Sequence, residues 1–253
     1  MILTDKDKYL GGCAIVPERS DNDIRSGTYR VITAAHKLKL EANDGLKVRI
    51  IEYDARGFQD SERNIHQDIF VTRFIIHPNF NPKRLTDDIA VLILEKPIEL
   101  QRQNGVNAVC YPACNNMFDY KFQNGTGVRC WVAGYGKDAE NGKFSFIQRK
   151  VDVPIYDKNR CQTRLRQELA KAGSSAANRL VLSPGEICAG GETGKDSCDG
   201  DGGSPLVCQS KTGHWHVVGL VAWGVGCANP DTPGVYVNIY HYLDFITSAS
   251  RNG

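Results

Sequence analysis

The chain has 253 residues, of which 41% are hydrophobic and 24% are charged. This composition is ordinary for a globular protein and argues against a disordered or fibrous chain. The formal net charge is only +2, and the apolar runs are far shorter than the about 20 residues of a membrane-spanning helix. We therefore expect neither a nucleic-acid partner nor a membrane span.

Short runs rich in β-branched residues, separated by Gly, Pro, Asn and Asp, predict a succession of strands. These runs are 29–33, 46–51, 69–76, 89–94, 127–133, 148–153, 205–209, 214–222 and 234–238. Helices are predicted at 159–172 and at about 239–250, where apolar residues recur at helical spacing. Many short strands predict an all-β sandwich or barrels. The stretch 104–124 is the expected boundary, which gives an N-terminal half of about 1–115 and a C-terminal half of about 116–238.

The nine cysteines indicate the compartment. They contain no CxxC pair and no Cys/His cluster with zinc spacing, so disulfides and an oxidising, extracellular setting are the better interpretation. The alternative is a set of free buried thiols in a cytosolic protein. Because the number is odd, at least one cysteine is free or bonds outside this chain. Asn124 begins a glycosylation sequon, which fits secretion but is common by chance.

Three segments carry candidate catalytic residues. Residues 33–36 (TAAH) end a strand in His36, residues 87–92 place Asp88 at the start of a strand, and residues 198–206 form a glycine-rich turn. Each segment alone is weak evidence, but in this order and at these separations they resemble the trypsin-like serine proteases of the chymotrypsin fold. Further matches to that family are 130–136, 187–190, 221–227 and 233–236.

This resemblance implies a double six-stranded antiparallel β-barrel with an intermediate helix, a C-terminal helix and a site in the cleft between the barrels. It also implies the disulfides Cys130–Cys208, Cys161–Cys188 and Cys198–Cys227. In such an enzyme a histidine, matched by His36, takes a proton from a serine hydroxyl. A buried aspartate, matched by Asp88, orients the histidine, and backbone N–H groups bind the oxyanion.

The nucleophile position departs from the family. The family turn reads GDSGGP, whereas residues 200–205 read GDGGSP, so Gly202 stands where the serine belongs. Loss of the serine costs on the order of 10⁶ in turnover. Ser204 is two residues further on, about 6–7 Å along an extended chain, while a base must lie within about 3 Å of the hydroxyl. The sequence therefore predicts a pseudoprotease with the degenerate triad His36, Asp88 and Gly202, and with Gly200 and Gly202 as remnants of the oxyanion turn.

The specificity pocket is better preserved than the triad. Asp196 matches the residue at the base of the pocket, and Gly224 and Gly234 match the glycines that keep its walls open, so the resemblance implies recognition of Arg or Lys. The alternative is a pocket closed by shifted loops. Asp201 matches the aspartate that pairs with a cleaved N-terminus in the family. Because these residues carry no such N-terminus, either that segment is missing or the turn is held differently.

Several substitutions and cysteines suggest a regulatory context. Lys37 stands where trypsins carry a cysteine, and the partner position is Leu10, so one family disulfide is absent as a unit. Cys13 has no obvious mate. Cys110 matches a cysteine that bonds to an upstream chain or module in many family members, and Cys114 is a second candidate for that bond.

The sequence contains one candidate ion site, and no other cofactor is expected. Glu52 and Glu62 are spaced like the outer ligands of the calcium loop of trypsin, and hard cations prefer such carboxylate oxygens. The alternative is an ordinary acidic surface loop.

Together, Gly202, the His36-Lys37 pair and residues 194–205 are similar to the clip-domain serine protease homologues of arthropods. These are non-catalytic cofactors of prophenoloxidase activation and melanisation in innate immunity. The resemblance implies an upstream clip module, secretion into haemolymph, protein partners (prophenoloxidase or clip-domain proteases) and a homo-oligomer. Two alternatives stay open: a weak trypsin-like protease with Arg/Lys preference, and a recognition protein for microbial surfaces that uses the exposed loop 20–27.

Overall fold

A computed structural model describes residues 1–18, 27–38, 44–56, 66–100, 105–112 and 126–249. Glu62, Cys114, Asn124 and nearly all of the loop 20–27 lie outside the described residues. The predictions that rest on them, namely the second calcium ligand, one inter-module cysteine, the glycosylation site and the microbial-binding loop, therefore stay predictions.

The first half forms an antiparallel sheet that curls back on itself. Its strands are β1 (Ile2–Thr4), β2 (Tyr9–Gly11), β3 (Ala14–Ile15), β4 (Thr28–Thr33), β5 (Leu46–Ile50), β6 (Gln67–Ile76) and β7 (Ala90–Ile98). The spatial order is β2-β1-β5-β6-β7-β4-β3. The two end strands, β2 and β3, are separated in the chain only by Gly12 and Cys13, so they bring the two edges together. The sheet has seven strands where six are expected, because Gly12 and Cys13 divide one bent strand into two.

The second half is a closed six-stranded barrel. Its strands are β8 (Thr126–Gly134), β9 (Arg149–Tyr156), β10 (Glu186–Gly190), β11 (Pro205–Gln209), β12 (Trp215–Trp223) and β13 (Pro233–Asn238), in the order β10-β13-β12-β11-β8-β9. Helix α1 (Lys158–Lys171) begins at Asp157, whose carboxylate accepts the N–H of Arg160 as an N-cap. The C-terminal helix is shorter than predicted: a 3₁₀ turn (Ile239–Tyr242) precedes α2 (Leu243–Ser248). The trypsin-like, mainly β fold is confirmed.

One apolar core joins the two halves. Ile32 of β4 and Val91 of β7 belong to the same buried cluster as Val217 of β12, Val237 of β13 and Tyr242. Burial of such side chains is the main favourable term in folding. The shared core therefore fixes the orientation of the cleft between the halves.

The cysteine pairing agrees with the resemblance. Disulfides join Cys130 to Cys208, Cys161 to Cys188, and Cys198 to Cys227. In the described part of the chain, Cys13 and Cys110 form no disulfide, and burial raises the pKa of the Cys110 thiol. Among the helices that the structure describes, none has the length and apolarity needed to cross a membrane.

Candidate functional site: a protease-like cleft

The histidine and aspartate predicted from the sequence meet in the structure. His36 lies in a 3₁₀ turn directly after β4, and Asp88 precedes β7, the neighbour of β4 in the sheet. His36 Nδ1 donates to Asp88 Oδ2 at 2.6 Å, and the backbone N–H of His36 donates to Asp88 Oδ1 at 2.8 Å. Asp88 is only 1% exposed. This bidentate contact fixes the imidazole and leaves Nε2 as its outward nitrogen.

Gly202 lies directly opposite that nitrogen. A Cβ atom on Gly202 would be 2.9 Å from His36 Nε2. The position next to the base is therefore occupied by a residue without a side chain, and no hydroxyl stands there. Ser204 does not supply one, because its side chain is buried against Gly12 and Gly134 and is absent from the lining of the cleft.

Lys37 enters the same space. The sequence showed that Lys37 replaces a family cysteine, but it did not predict where the lysine side chain lies. A Cβ on Gly202 would lie 2.9 Å from Lys37 Cδ, and a Cβ on Gly11 would lie 2.7 Å from Lys37 Cε. The lysine stem therefore runs between Gly11 and Gly202, where the family disulfide is missing. One sequence signal could have located this side chain. Lys37 directly follows His36, so its side chain begins at the rim of the cleft.

Asp201 is held by backbone donors. Its Oδ1 accepts the N–H of Gly136 at 2.8 Å, and its Oδ2 accepts the N–H of Cys198 at 3.0 Å. Burial raises the pKa of Asp201, while these two hydrogen bonds and the charge of Lys37 act in the opposite direction. Within these residues the turn is thus ordered through backbone contacts.

The oxyanion turn is described by the backbone conformation of Gly200 and by the N–H groups of Gly200 and Gly202. Gly200 has φ of +98°, a conformation that glycine adopts without steric cost, and Tyr9 Oη donates to its carbonyl oxygen at 2.9 Å. As far as the structure describes the chain, the N–H groups of Gly200 and Gly202 have no acceptor. They remain available to an anion.

The residues predicted for the specificity pocket and those of the degenerate triad line one cleft. A cleft of about 330 Å³ is lined by His36, Lys37, Gly202 and Asp196 among others, and Gly224 and Gly234 belong to its walls. The size is at the lower end of the range for small-ligand sites. It admits one side chain and its backbone groups.

Asp196 is a half-buried acceptor in the lining of this cleft. Its Oδ1 accepts the N–H of Ser197 at 2.9 Å, and its Oδ2 accepts the N–H of Ala228 at 3.0 Å. Burial raises the pKa of Asp196 to about 7. A Cβ on Gly234 would lie 3.3 Å from Asp196 Oδ1, so glycine there keeps the carboxylate accessible. A cationic side chain is the natural partner for such a group.

The described carboxylates of the proposed calcium loop lie beside basic side chains of the protein. The carboxylate of Glu52 lies 3.5 Å from His66 Nδ1 and 3.9 Å from Arg49, and Asp54 pairs with Arg56. These residues do not by themselves make up a calcium site. Calcium binding therefore stays a prediction that depends on Glu62.

The family model described as Trypsin matches residues 26–246. The chain belongs to the trypsin family. Its relatives include an inactive CLIP domain-containing serine protease A3 from Aedes aegypti, 38% identical over 98% of the chain and 48% of that relative. Phenoloxidase-activating factor 2 from Galleria mellonella is 40% identical over 85% of the chain and 67% of that protein.

Other relatives carry the names of enzymes. Mouse tryptase is 33% identical over 85% of the chain and 73% of its own length. The chain spans about half the length of the Aedes relative, so it corresponds to one part of that protein. Membership of the trypsin family alone does not distinguish an enzyme from an inactive homologue. The distinction depends on which residues lie in the cleft.

Proposed function

We propose that this chain is a catalytically inactive trypsin-family domain that acts by binding, as a cofactor in the extracellular cascade that activates prophenoloxidase and leads to melanisation. The observation that carries the proposal is Gly202 beside an intact His36–Asp88 pair. The base and its orienting carboxylate are present, and the atom that would attack a peptide is absent.

The chemical argument is direct. Acyl transfer requires a nucleophile that the histidine deprotonates, and the intermediate forms on that oxygen. His36 has no such oxygen to activate at position 202. Oxyanion donors and substrate binding alone leave only a small residual rate. What the cleft retains is recognition, because the acidic pocket and the N–H groups of the turn are still in place.

The place in an immune cascade rests on the relatives. One is named an inactive CLIP domain-containing serine protease and another a phenoloxidase-activating factor. Three disulfides fit secretion. In this proposal the partners are prophenoloxidase or its processing protease, a clip module belongs upstream, and Cys110 or Cys114 bonds to it.

The test is a reconstitution. Purified prophenoloxidase and its active processing protease are incubated with and without this protein, preferably joined to its native N-terminal region. A several-fold rise in phenoloxidase activity is expected, with no prophenoloxidase cleavage by this protein alone. As a control, the protein is treated with a fluorophosphonate and dialysed, and it should keep its full effect. An effect that disappears after this treatment would identify a protease.

A second candidate is a weak protease with Arg/Lys preference, and the open cleft above Asp196 favours it. The two candidates differ in covalent chemistry. Intact-mass measurement after fluorophosphonate treatment should show no adduct, whereas a stoichiometric adduct on Ser204 would establish the enzyme. Binding to microbial cells that is lost on deletion of residues 20–27 would support the recognition alternative instead.

A further inference from the structure

The cleft carries charges of both signs. His36 and Lys37 line it beside Gly202, which we call the basic end, and Asp196 in the same lining defines the acidic end. Glu140 and Asp199 also line the cleft, and Asp199 pairs with Lys137. A ligand that matches this distribution carries a cation and an anion a short distance apart.

The basic end also has the geometry of an anion site. The N–H groups of Gly200 and Gly202 have no acceptor among the described residues. Lys37 runs past Gly202 with its Cδ only 2.9 Å from the position of a Cβ there, and His36 Nε2 faces the same point. Because position 202 has no side chain, His36 Nε2 and the Lys37 stem border the turn directly. Backbone donors and a nearby cation are the usual partners of a carboxylate.

The acidic end selects the neighbouring side chain. Asp196 is anchored by two backbone N–H groups in the lining of the same cleft, so its position is fixed before a ligand arrives. An Arg or Lys side chain that reaches Asp196 would leave its own backbone near Gly202. At a chain end, that backbone carries a carboxylate.

We propose that the cleft is a receptor for polypeptides that end in Arg or Lys with a free C-terminal carboxylate. These are the ends that trypsin-like cleavage creates. Asp196 holds the terminal side chain, while Lys37, His36 and the N–H groups of Gly200 and Gly202 hold the carboxylate. The inference rests on the proposed non-catalytic function. In an active protease such ends are products that leave the cleft after hydrolysis, whereas here they would be the ligands.

The test compares two fluorescein-labelled peptides of sequence Gly-Gly-Ala-Arg, one with a C-terminal carboxylate and one with a C-terminal amide, by fluorescence anisotropy. The acid should bind about ten-fold or more tightly than the amide, as expected for a charge-assisted contact. A third peptide, Gly-Gly-Ala-Gln acid, should bind weakly because it lacks the cation for Asp196. Equal binding of acid and amide, or no binding of either, overturns the proposal.

Two variants assign the ends of the cleft. Lys37→Met should reduce the acid-to-amide ratio to about two-fold or less while changing amide binding little. Asp196→Asn should weaken both Arg peptides. Lys83→Met is the matched control, because it removes the same charge from an exposed turn and should leave both affinities unchanged. A Lys37→Met variant that keeps full discrimination contradicts the assignment.

A separate cleavage experiment tests the proposed non-catalytic function. The longer peptide Gly-Gly-Ala-Arg-Ser-Gly is incubated with the protein and examined by mass spectrometry. Cleavage after Arg would refute the non-catalytic function. Intact peptide combined with equal binding of acid and amide would refute only the receptor for chain ends.

Discussion

At the scale of the residue, Gly202 and Lys37 form one coupled feature. A Cβ on Gly202 would be 2.9 Å from both Lys37 Cδ and His36 Nε2, which is closer than a carbon atom packs against either group. The lysine can sit where it does only because position 202 has no side chain. Restoring the serine by itself therefore returns the hydroxyl to a crowded site.

We expect Gly202→Ser alone to react slowly with a fluorophosphonate, and Gly202→Ser/Lys37→Ala to react at least about ten-fold faster, since relief of about 1.4 kcal/mol changes a rate ten-fold. Labelling rates from intact-mass spectra give the comparison. Gly202→Ser/Lys83→Ala is the control and should match the single variant. Equal rates for the single variant and the Lys37 double variant would show that the lysine does not crowd the site.

Asp196 makes binding in the cleft depend on pH. Because burial raises the pKa of Asp196 to about 7, the carboxyl is mostly neutral below that pH and mostly ionised above it. The affinity for benzamidine, a permanent cation over this range, should rise about ten-fold per unit up to about pH 7 and level off above it. Calorimetry from pH 5 to 9 measures this profile.

The variants for this profile distinguish Asp196 from Glu140, another carboxylate that lines the cleft. Asp196→Asn should bind benzamidine weakly at every pH, and Glu140→Gln should keep the wild-type profile. An ordinary carboxyl, ionised throughout this range, would give a flat profile from pH 5 upward, and that result would contradict the raised pKa.

At the scale of the element, two disulfides of similar span have different roles. Cys198–Cys227 joins two segments that both line the cleft, whereas Cys161–Cys188 joins α1 to β10, and neither of its cysteines belongs to the lining. Their sequence separations are 29 and 27. Removal of either should lower the free energy of unfolding by about 3–4 kcal/mol on the loop-entropy account.

Only one of the two should affect ligand binding. Cys198→Ala/Cys227→Ala should lose benzamidine affinity as well as stability, while Cys161→Ala/Cys188→Ala should lose stability alone. Urea denaturation and calorimetry below the unfolding transition give both quantities. Loss of binding in the second variant would mean that the cleft depends on overall stability and not on its own disulfide.

The elements also show what a sequence pattern can predict. The strands β4 to β9 and β11 to β13 each contain β-branched or aromatic runs with turn residues between them, and they appear within a few residues of their predicted bounds. The segments β1, β2 and β3 have only two or three residues each, too few for an alternating pattern. β10 has five residues, as β5 and β11 do, but it ends in Ala and Gly, which do not favour a strand.

The residues of the candidate site also fall into those that the sequence predicts and those that it does not. His36, Asp88, Asp196 and Gly202 were predicted by their motifs, because the local sequence places each at the end of a strand or in a tight turn. The path of the Lys37 stem and the backbone partners of Asp201 were not, because the first depends on a contact between the two halves and the second on a contact with Gly136, 65 residues away in the chain. No local pattern reports such contacts.

At the scale of the whole molecule, the two halves meet closely at Gly12. Its N–H donates to the carbonyl oxygen of Gly202 at 3.0 Å, and its carbonyl oxygen accepts from Thr33 Oγ1 at 2.8 Å. A Cβ on Gly12 would lie 2.1 Å from Ser204 Oγ and 2.7 Å from the backbone N and Cα of Ser204. The hydroxyl could rotate away, but the backbone atoms could not, so a methyl group would force the halves apart.

Gly12→Ala should therefore lower the free energy of unfolding by about 3 kcal/mol or more and weaken benzamidine binding, because the cleft lies along this contact. Gly45→Ala, in the same half, is the control: its Cβ would come within 3.3 Å only of the Asp5 side chain, and a change under about 1 kcal/mol is expected. Since the core is shared, urea unfolding of both variants should remain a single transition. Two transitions in Gly12→Ala would mean that the halves fold independently and that the cleft is assembled only by docking of finished domains.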